Sequence, residues 1–229
     1  MTCPSRNDLK REAASRAVRL VKPGMTIGLG SGSTATLWIE LLGEQVRDHG
    51  LKIKAVASSE DSERLGRSFG IPIVRLEECK WLDLTVDGAD EIAPGLALIK
   101  GGGGKLLREK IVASATKCFV IVADDSKVVD TLGNHPLPVE VIPMAAPLVK
   151  DSLQELGFQV ALRMNSTGSP YITDEGNLLF DCSDMMIDDP PKLASTLDGT
   201  VGIVEHGLFL NMASLALIAG ANGVVERTS

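Results

Sequence analysis

Glu109 carries a carboxylate whose chemistry suits taking a proton from carbon, and it follows a stretch crowded with other reactive groups. Between Trp81 and Thr116, WLDLTVDGADEIAPGLALIKGGGGKLLREKIVASAT, come the carboxylates of Asp87 and Asp90, the ammonium of Lys100, four consecutive glycines from Gly101 to Gly104, Lys105 and then Glu109. A glutamate at the margin of an apolar helix face is half desolvated, which disfavours its charged form and strengthens it as a base. A lysine can stabilise a developing oxyanion, and aspartates can exchange protons with hydroxyls. Four glycines in a row cost backbone entropy, so they imply a close approach or a positive φ. Each residue also has a plainer reading: Glu109 as a surface partner of Lys105 at four-residue spacing, the aspartates as turn formers, and Lys100 and Lys127 as solvated charges.

A second stretch carries a different chemistry. In Gly28-Leu29-Gly30-Ser31-Gly32-Ser33-Thr34 a glycine-rich turn opens a helix, so unsatisfied N–H groups and the positive end of the helix dipole face an anion. The hydroxyls of Ser31, Ser33 and Thr34 add donors around the backbone of Gly32. Ser33 stands where a dinucleotide fingerprint needs its third glycine, no acidic residue closes the next strand, and no lysine precedes Ser33-Thr34 as a Walker loop requires. The pattern suits a small phosphate.

The elements that must hold these groups follow from periodicity. Residues 7–22 read as a helix capped by Asn7 or Asp8, 25–29 as a strand, and Leu37, Trp38, Leu41 and Leu42 as a helix face. Strands are expected at 53–57 and 71–76 with a helix at 60–69 between them. Leu82, Leu84 and Val86 alternate as in a strand, which puts Asp87-Gly88-Ala89-Asp90 at its carboxyl end. In the next helix Leu106, Leu107, Ile111 and Ala113 point inward, with Glu109 about 60° from Leu106. The apolar run from Cys118 to Ala123 is a strand buried on both faces, closing in Asp124-Asp125-Ser126-Lys127. Three strands thus deliver Ser31–Thr34, Asp87–Asp90 and Lys127 to one sheet edge, where open parallel sheets bind ligands. The fold class expected is α/β: a Rossmann-like open parallel sheet with helices on both faces, formed by 1–132 together with 206–229. Pro136, Pro138, Pro143 and Pro147 mark a boundary. From there, 133–205 read β-α-β-β-α-β, a small α+β ferredoxin-like domain.

Composition excludes several classes. The chain has 229 residues and a formal charge of −7, which disfavours nucleic acid as a partner. No apolar run approaches the roughly 18 residues of a membrane span. Four cysteines (Cys3, Cys79, Cys118, Cys182) and three histidines (His49, His135, His206) show no metal-ligand spacing, so no metal is expected. The N-terminus lacks the apolar core of a signal peptide, and the expected compartment is the reducing cytoplasm.

VDGADEI at 86–92, IKGGGGKLLREKI at 99–111, GLGSGST at 28–34, ADDSK at 123–127 and LPVEVIPMA at 137–145 resemble the A-type ribose-5-phosphate isomerases, in order and from the N-terminal helix to the tail. The resemblance implies interconversion of ribose 5-phosphate and ribulose 5-phosphate in the pentose phosphate pathway, without a cofactor, by a homodimer or homotetramer. It implies Glu109 as the base, with Asp87 and Lys100 catalytic. Asp87, Gly88, Ala89, Asp90, Lys100, Gly101, Gly102 and Gly103 then line the sugar, and Ser31, Gly32, Ser33, Thr34 and Lys127 hold substrate and phosphate. Lys105 departs from the small residue often found there. A non-enzymatic sugar-phosphate sensor and a CoA-transferase-like enzyme with a covalent glutamate remain alternatives at this level.

Overall fold

A computed structural model of the chain describes residues 4–228; Cys3 lies outside them. In chain order the elements are α1 (Arg6–Val18), β1 (Thr26–Leu29), α2 (Gly32–His49), β2 (Lys54–Ala57), α3 (Glu60–Ser68), β3 (Leu84–Asp87), β4 (Glu91–Ile92), β5 (Leu98–Ile99), α4 (Leu106–Ser114), β6 (Phe119–Asp124), β7 (Leu137–Val141), α5 (Ala146–Glu155), β8 (Gln159–Leu162), β9 (Leu178–Ser183), α6 (Pro190–Asp198), β10 (Ile203–His206), β11 (Leu208–Phe209), β12 (Leu215–Gly220) and β13 (Gly223–Thr228). They form two compact units. The first takes the chain up to Ala89, Arg108–Lys127 and the chain from Asn211; the second takes Asp90–Leu107 and Val128–Leu210.

The first unit is built on a six-stranded sheet in the order β13-β12-β6-β3-β1-β2, in which all neighbours are parallel except the antiparallel edge pair β12–β13. Alternate residues of its strands face opposite layers. Ile27, Leu29, Leu84, Val86, Val120 and Val122 pack with Leu9, Ala13, Ala14 and Ala17 of α1 and Trp38, Ile39 and Leu42 of α2. The alanines give α1 a flat face on which the sheet can lie close. On the opposite face Gly28 and Thr85 meet Val112 of α4, so helices cover both sides. The helix expected from residue 7 begins at Arg6 because Ser5 caps it: the Asp8 N–H donates to Ser5 Oγ at 3.2 Å and the Ser5 N–H to Asp8 Oδ2 at 2.9 Å. The strand expected at 71–76 shrinks to one bridge, Ala55 to Ile73, and the chain turns into a short 3-10 helix at Leu76–Glu78.

Strand order explains where a ligand belongs in this unit. The connection from β1 through α2 leads to β2 on one side, whereas β3 packs on the other side of β1. The gap between the carboxyl ends of β1 and β3 is therefore a topological switch point.

The second unit holds a four-stranded antiparallel sheet in the order β10-β7-β9-β8, with α5 and α6 in the crossovers, as the β-α-β-β-α-β reading expects. Its core joins Val139, Val141, Val149, Leu153, Phe158, Phe180, Leu193 and Leu197. It also holds a three-stranded antiparallel sheet, β11-β5-β4. Here the units depart from the expected limits at 132/133 and 205/206. Residues 90–107, 128–132 and 206–210 belong to the second unit, where β5 pairs with both β4 and β11. The strands involved are two residues each, too short to leave a periodic signal.

Candidate active site

The first unit brings Ser31, Asp87 and Gly88 together at its switch point. Asp87 ends β3 and is 1% exposed. Its Oδ1 accepts the N–H of Ser31 and that of Gly88, both at 2.8 Å, so two backbone donors fix its orientation. The Gly30 N–H donates to Val86 O at 3.0 Å, stitching the two loops. Only glycine fits at position 30: a Cβ there would stand 2.3 Å from Asp87 Oδ1 and 2.5 Å from Val86 O.

The start of α2 presents positive charge. Ser31 is the N-cap, yet its side chain makes no cap bond; its Oγ lies 2.8 Å from Ser58 Oγ instead. The first turn holds no acidic residue, so its N–H groups and the helix dipole present uncompensated positive charge. Gly32 and Ser33 open the helix and Thr34 is buried beneath it. Lys10 reaches from α1 to donate to Ser33 Oγ at 3.0 Å. Sequence reasoning missed Lys10 and Ser58, which carry no motif. Lys127 lies half-buried in a short 3-10 turn after β6, at the same carboxyl edge of the sheet.

Glu109 sits on α4 and is 5% exposed. Leu106, Val112 and Ala113 are buried around it in the helical sequence while Ile111 is 45% exposed. The buried stripe therefore runs 106, 109, 112 and 113, and Glu109 lies in its middle rather than at its margin. The expectation that Ile111 points inward is corrected: the stripe is rotated toward the glutamate. Burial this complete withdraws a carboxylate from water far more than a place at the margin of the stripe would. Lys105 forms an ion pair with Asp174 in which both side chains are largely buried.

The second unit carries Asp90, Lys100 and the glycine run. Lys100, at the end of β5, is 2% exposed with its Nζ 5.4 Å from the ring centre of Phe209. Its N–H donates to Gly207 O at 2.9 Å. Asp90 is anchored by its own N–H to Ile99 O, and its Oδ2 accepts the Gly102 N–H at 2.7 Å. A Cβ at Gly102 would lie 2.7 Å from the Asp90 carboxylate, so this glycine is required for that approach. Gly104 has φ +78° and faces the Tyr171 ring, which a Cβ would meet at 2.6 Å. His135 Nε2 lies 3.9 Å from Asp90 Oδ1. The neighbouring Glu91, 3% exposed, accepts the N–H groups of Gly133 and His135. Gly101 and Gly103 continue the same loop.

One cluster in the second unit has the residue types of a metal site: Asp198, Glu205 and His206. Its hydrogen bonding argues for another use. His206 Nδ1 accepts the Leu208 N–H at 3.2 Å, so in the neutral ring the proton sits on Nε2, which points at Asp198 Oδ1 at 3.1 Å. A cation at Nε2 would have to displace that proton and break the bond to Asp198.

Comparison with known proteins places the chain among enzymes of one kind. The family model described as Ribose 5-phosphate isomerase A (phosphoriboisomerase A) matches residues 54–223. Ribose-5-phosphate isomerase A of Roseiflexus sp. (strain RS-1) is 49% identical, with 96% of this chain and 95% of that one covered. The protein of the same name from Nitrobacter hamburgensis is 48% identical over 96% and 97%. Among solved structures, ribose 5-phosphate isomerase A of Methanocaldococcus jannaschii superposes with a TM-score of 0.94 at 40% identity, covering 98% of this chain and 100% of that one. A D-ribose-5-phosphate isomerase in complex with phospho-erythronic acid gives 0.96 at 34% identity, over 99% and 100%.

Proposed function

This chain belongs to the ribose 5-phosphate isomerase A family and isomerises that sugar phosphate; we propose that Glu109 is the base that carries the proton between C2 and C1. In the open-chain aldose, Glu109 removes the C2 hydrogen as a proton. The electron pair left behind forms the C1–C2 double bond of an enediolate, and the carbonyl oxygen at C1 becomes an oxyanion. Lys100 stabilises that charge. Asp87 moves the hydroxyl proton between O2 and O1 and assists ring opening, and Asp90 positions Asp87 or a sugar hydroxyl. Glu109 then returns its proton to C1, giving ribulose 5-phosphate with every atom accounted for. The phosphate is assigned to the N-terminus of α2, with Ser31, Gly32, Ser33, Thr34, Lys10 and Lys127. The sugar is assigned to Asp87, Gly88, Ala89, Asp90 and Lys100–Gly103.

The observation that supports this reading most is the burial of Glu109 at 5% exposure on the inward stripe of α4. Burying a carboxylate costs stability, whereas a carbon base gains from desolvation. Glu109→Gln keeps the shape and removes the base. Its kcat should fall about a hundred- to ten-thousandfold with KM within a few-fold. In deuterated water the wild type should incorporate solvent deuterium into the recovered sugar and the variant should not. A variant that isomerises at the wild-type rate sinks the assignment.

The proposal extends to setting and assembly: a cytoplasmic enzyme of the pentose phosphate pathway, acting as a homodimer or homotetramer. The free thiols of Cys79, Cys118 and Cys182 suit a reducing compartment. Met144, Leu148 and Val201, between 72% and 93% exposed, are apolar surface suited to subunit contact. Among the described residues no helix is long and apolar enough to cross a membrane.

A further inference from the structure

The loop between β8 and β9 closes on the glycine run at three successive points. Arg163, immediately after β8, donates from Nη1 to the carbonyl oxygens of Gly101 and Gly102, each at 3.1 Å. Tyr171 stands against Gly104, with its Oη 3.5 Å from Gly103 O. Asp174 pairs with Lys105. Of these, Arg163 is the most constrained. Its Nε donates to Asp181 Oδ2 at 2.9 Å and its Nη2 to Asp181 Oδ1, a fork-on-carboxylate pair that fixes the plane of the guanidinium. Its side chain is 14% exposed and that of Asp181 27%.

We propose that Arg163, oriented by Asp181, is a positioning residue that sets the two peptide planes on which Lys100 and Asp90 depend. The Gly101–Gly102 peptide is held at both ends: Arg163 takes its carbonyl, and Asp90 takes its N–H at 2.7 Å. Trans peptides point these groups in opposite directions, and no cis bond occurs among the described residues. Arg163 and Asp90 therefore grip one rigid unit from opposite sides. Through the Gly102 carbonyl, Arg163 turns the next N–H, that of Gly103, toward the side on which Asp90 lies. A Cβ at Gly103 would meet nothing within 4 Å, so the loop is uncrowded at that position. Lys100 is joined to the first fixed plane through one intervening peptide. Glycines have no side chains to lock their own torsions, so a run of four holds one geometry only if an outside group imposes it. Lysine cannot replace arginine here, because one ammonium cannot span a carboxylate and two carbonyls in a fixed plane.

The catalytic consequence rests on the assignment of Lys100 and the glycine loop to the sugar; the mechanical one does not. Arg163→Lys separates them. Amide hydrogen exchange over residues 100–105 should quicken in the variant while Tm stays close to wild type. Its kcat should fall about ten- to a hundredfold with KM within a few-fold, the cost of a displacement near 1 Å. Two competitive inhibitors sharpen the test. Inorganic phosphate should bind both proteins equally. Phospho-erythronate, whose planar carboxylate sets two oxygens where an enediolate has them, should bind the variant at least about tenfold more weakly. Asp181→Asn, which leaves Arg163 present but unoriented, should move the same quantities in the same direction and serves if Arg163→Lys does not fold. Wild-type exchange together with wild-type kcat overturns the proposal. So does a parallel loss of both inhibitors with a fall in Tm, which is the signature of general destabilisation. If exchange quickens but the wild type does not isomerise ribose 5-phosphate, the clamp stands and the functional assignment fails.

Discussion

Gly30→Ala tests whether the switch point between β1 and β3 couples fold to catalysis. The added methyl would stand 2.3 Å from Asp87 Oδ1, 2.4 Å from Asp87 Cγ and 2.5 Å from Val86 O. Neither neighbour gives way easily. Val86 O is backbone of an interior strand and accepts the Gly30 N–H, while Asp87 is pinned by the N–H groups of Ser31 and Gly88. Restoring van der Waals separation requires the β1 loop and the β3 end to part by about 1 Å. Overpacking of this kind costs about 1–3 kcal/mol. For a chain of this length that is roughly 2–12 °C in Tm. The same displacement moves Asp87 and the start of α2 together, and a 1 Å error at a reacting group costs on the order of a hundredfold in kcat. Gly24→Ala is the matched control. Gly24 has φ +86° with nothing within 4 Å of a Cβ, so alanine there pays left-handed strain of about 1–2 kcal/mol without touching the site. Thermal denaturation and steady-state isomerisation of both variants should show comparable losses of Tm but a loss of kcat only in Gly30→Ala. Equal kcat in the two variants refutes the coupling.

Two further outcomes follow from the same geometry. Lys10→Met removes the cation that reaches Ser33 Oγ, so KM for ribose 5-phosphate and Ki for inorganic phosphate should each rise about tenfold with kcat within twofold, the worth of one charge-assisted hydrogen bond; an unchanged KM removes Lys10 from the phosphate site. Glu140, 1% exposed, has its pKa raised by burial, against the hydrogen bonds that its Oε1 accepts from Asn177 and Thr173. A carboxyl group with a raised folded pKa holds its proton longer in the folded state. Stability should therefore fall as pH rises from the ordinary glutamate value through the raised one, and level off above it. Glu140→Gln keeps the Oε1 acceptor and cannot ionise, so its Tm should exceed the wild type at neutral pH and converge with it in mild acid; a constant difference across pH contradicts the cause.

What the sequence makes legible is local and repetitive. The alternation around Leu84 and Val86, the unbroken apolar run of β6 and the glycine turn before α2 each name a strand end, and a parallel sheet then brings those ends to one edge. The order of elements from β7 to β10 is readable for the same reason. Glu109 shows where such reading stops. Counting apolar residues on α4 gives Ile111 the same weight as Val112, yet Ile111 is 45% exposed and Val112 is 3% exposed. Which of two adjacent apolar residues turns inward depends on the surface the helix meets, and a one-residue rotation moves the glutamate from the margin of the stripe to its centre. β4 and β5 are too short for periodicity to register, so the sequence does not show that 90–107 packs with the second unit.

Lys10 and Arg163 are a harder case, because nothing local distinguishes them from other surface cations. Lys10 meets Ser33 across 23 positions, and Arg163 meets Gly101 across 62. Their partners are a hydroxyl and two carbonyl oxygens, groups that every segment of the chain possesses. The glycine run held half of that information. Four residues without side chains cannot specify their own geometry, so the sequence already required a donor from elsewhere to fix their carbonyls. It could not say which of its 23 lysines and arginines that donor is. The fold selects Arg163 by placing β8 antiparallel to β9 with Ala161 opposite Asp181, which leaves the guanidinium two residues on within reach of both the carboxylate and the loop. A residue of this kind becomes visible only once the strand register is known.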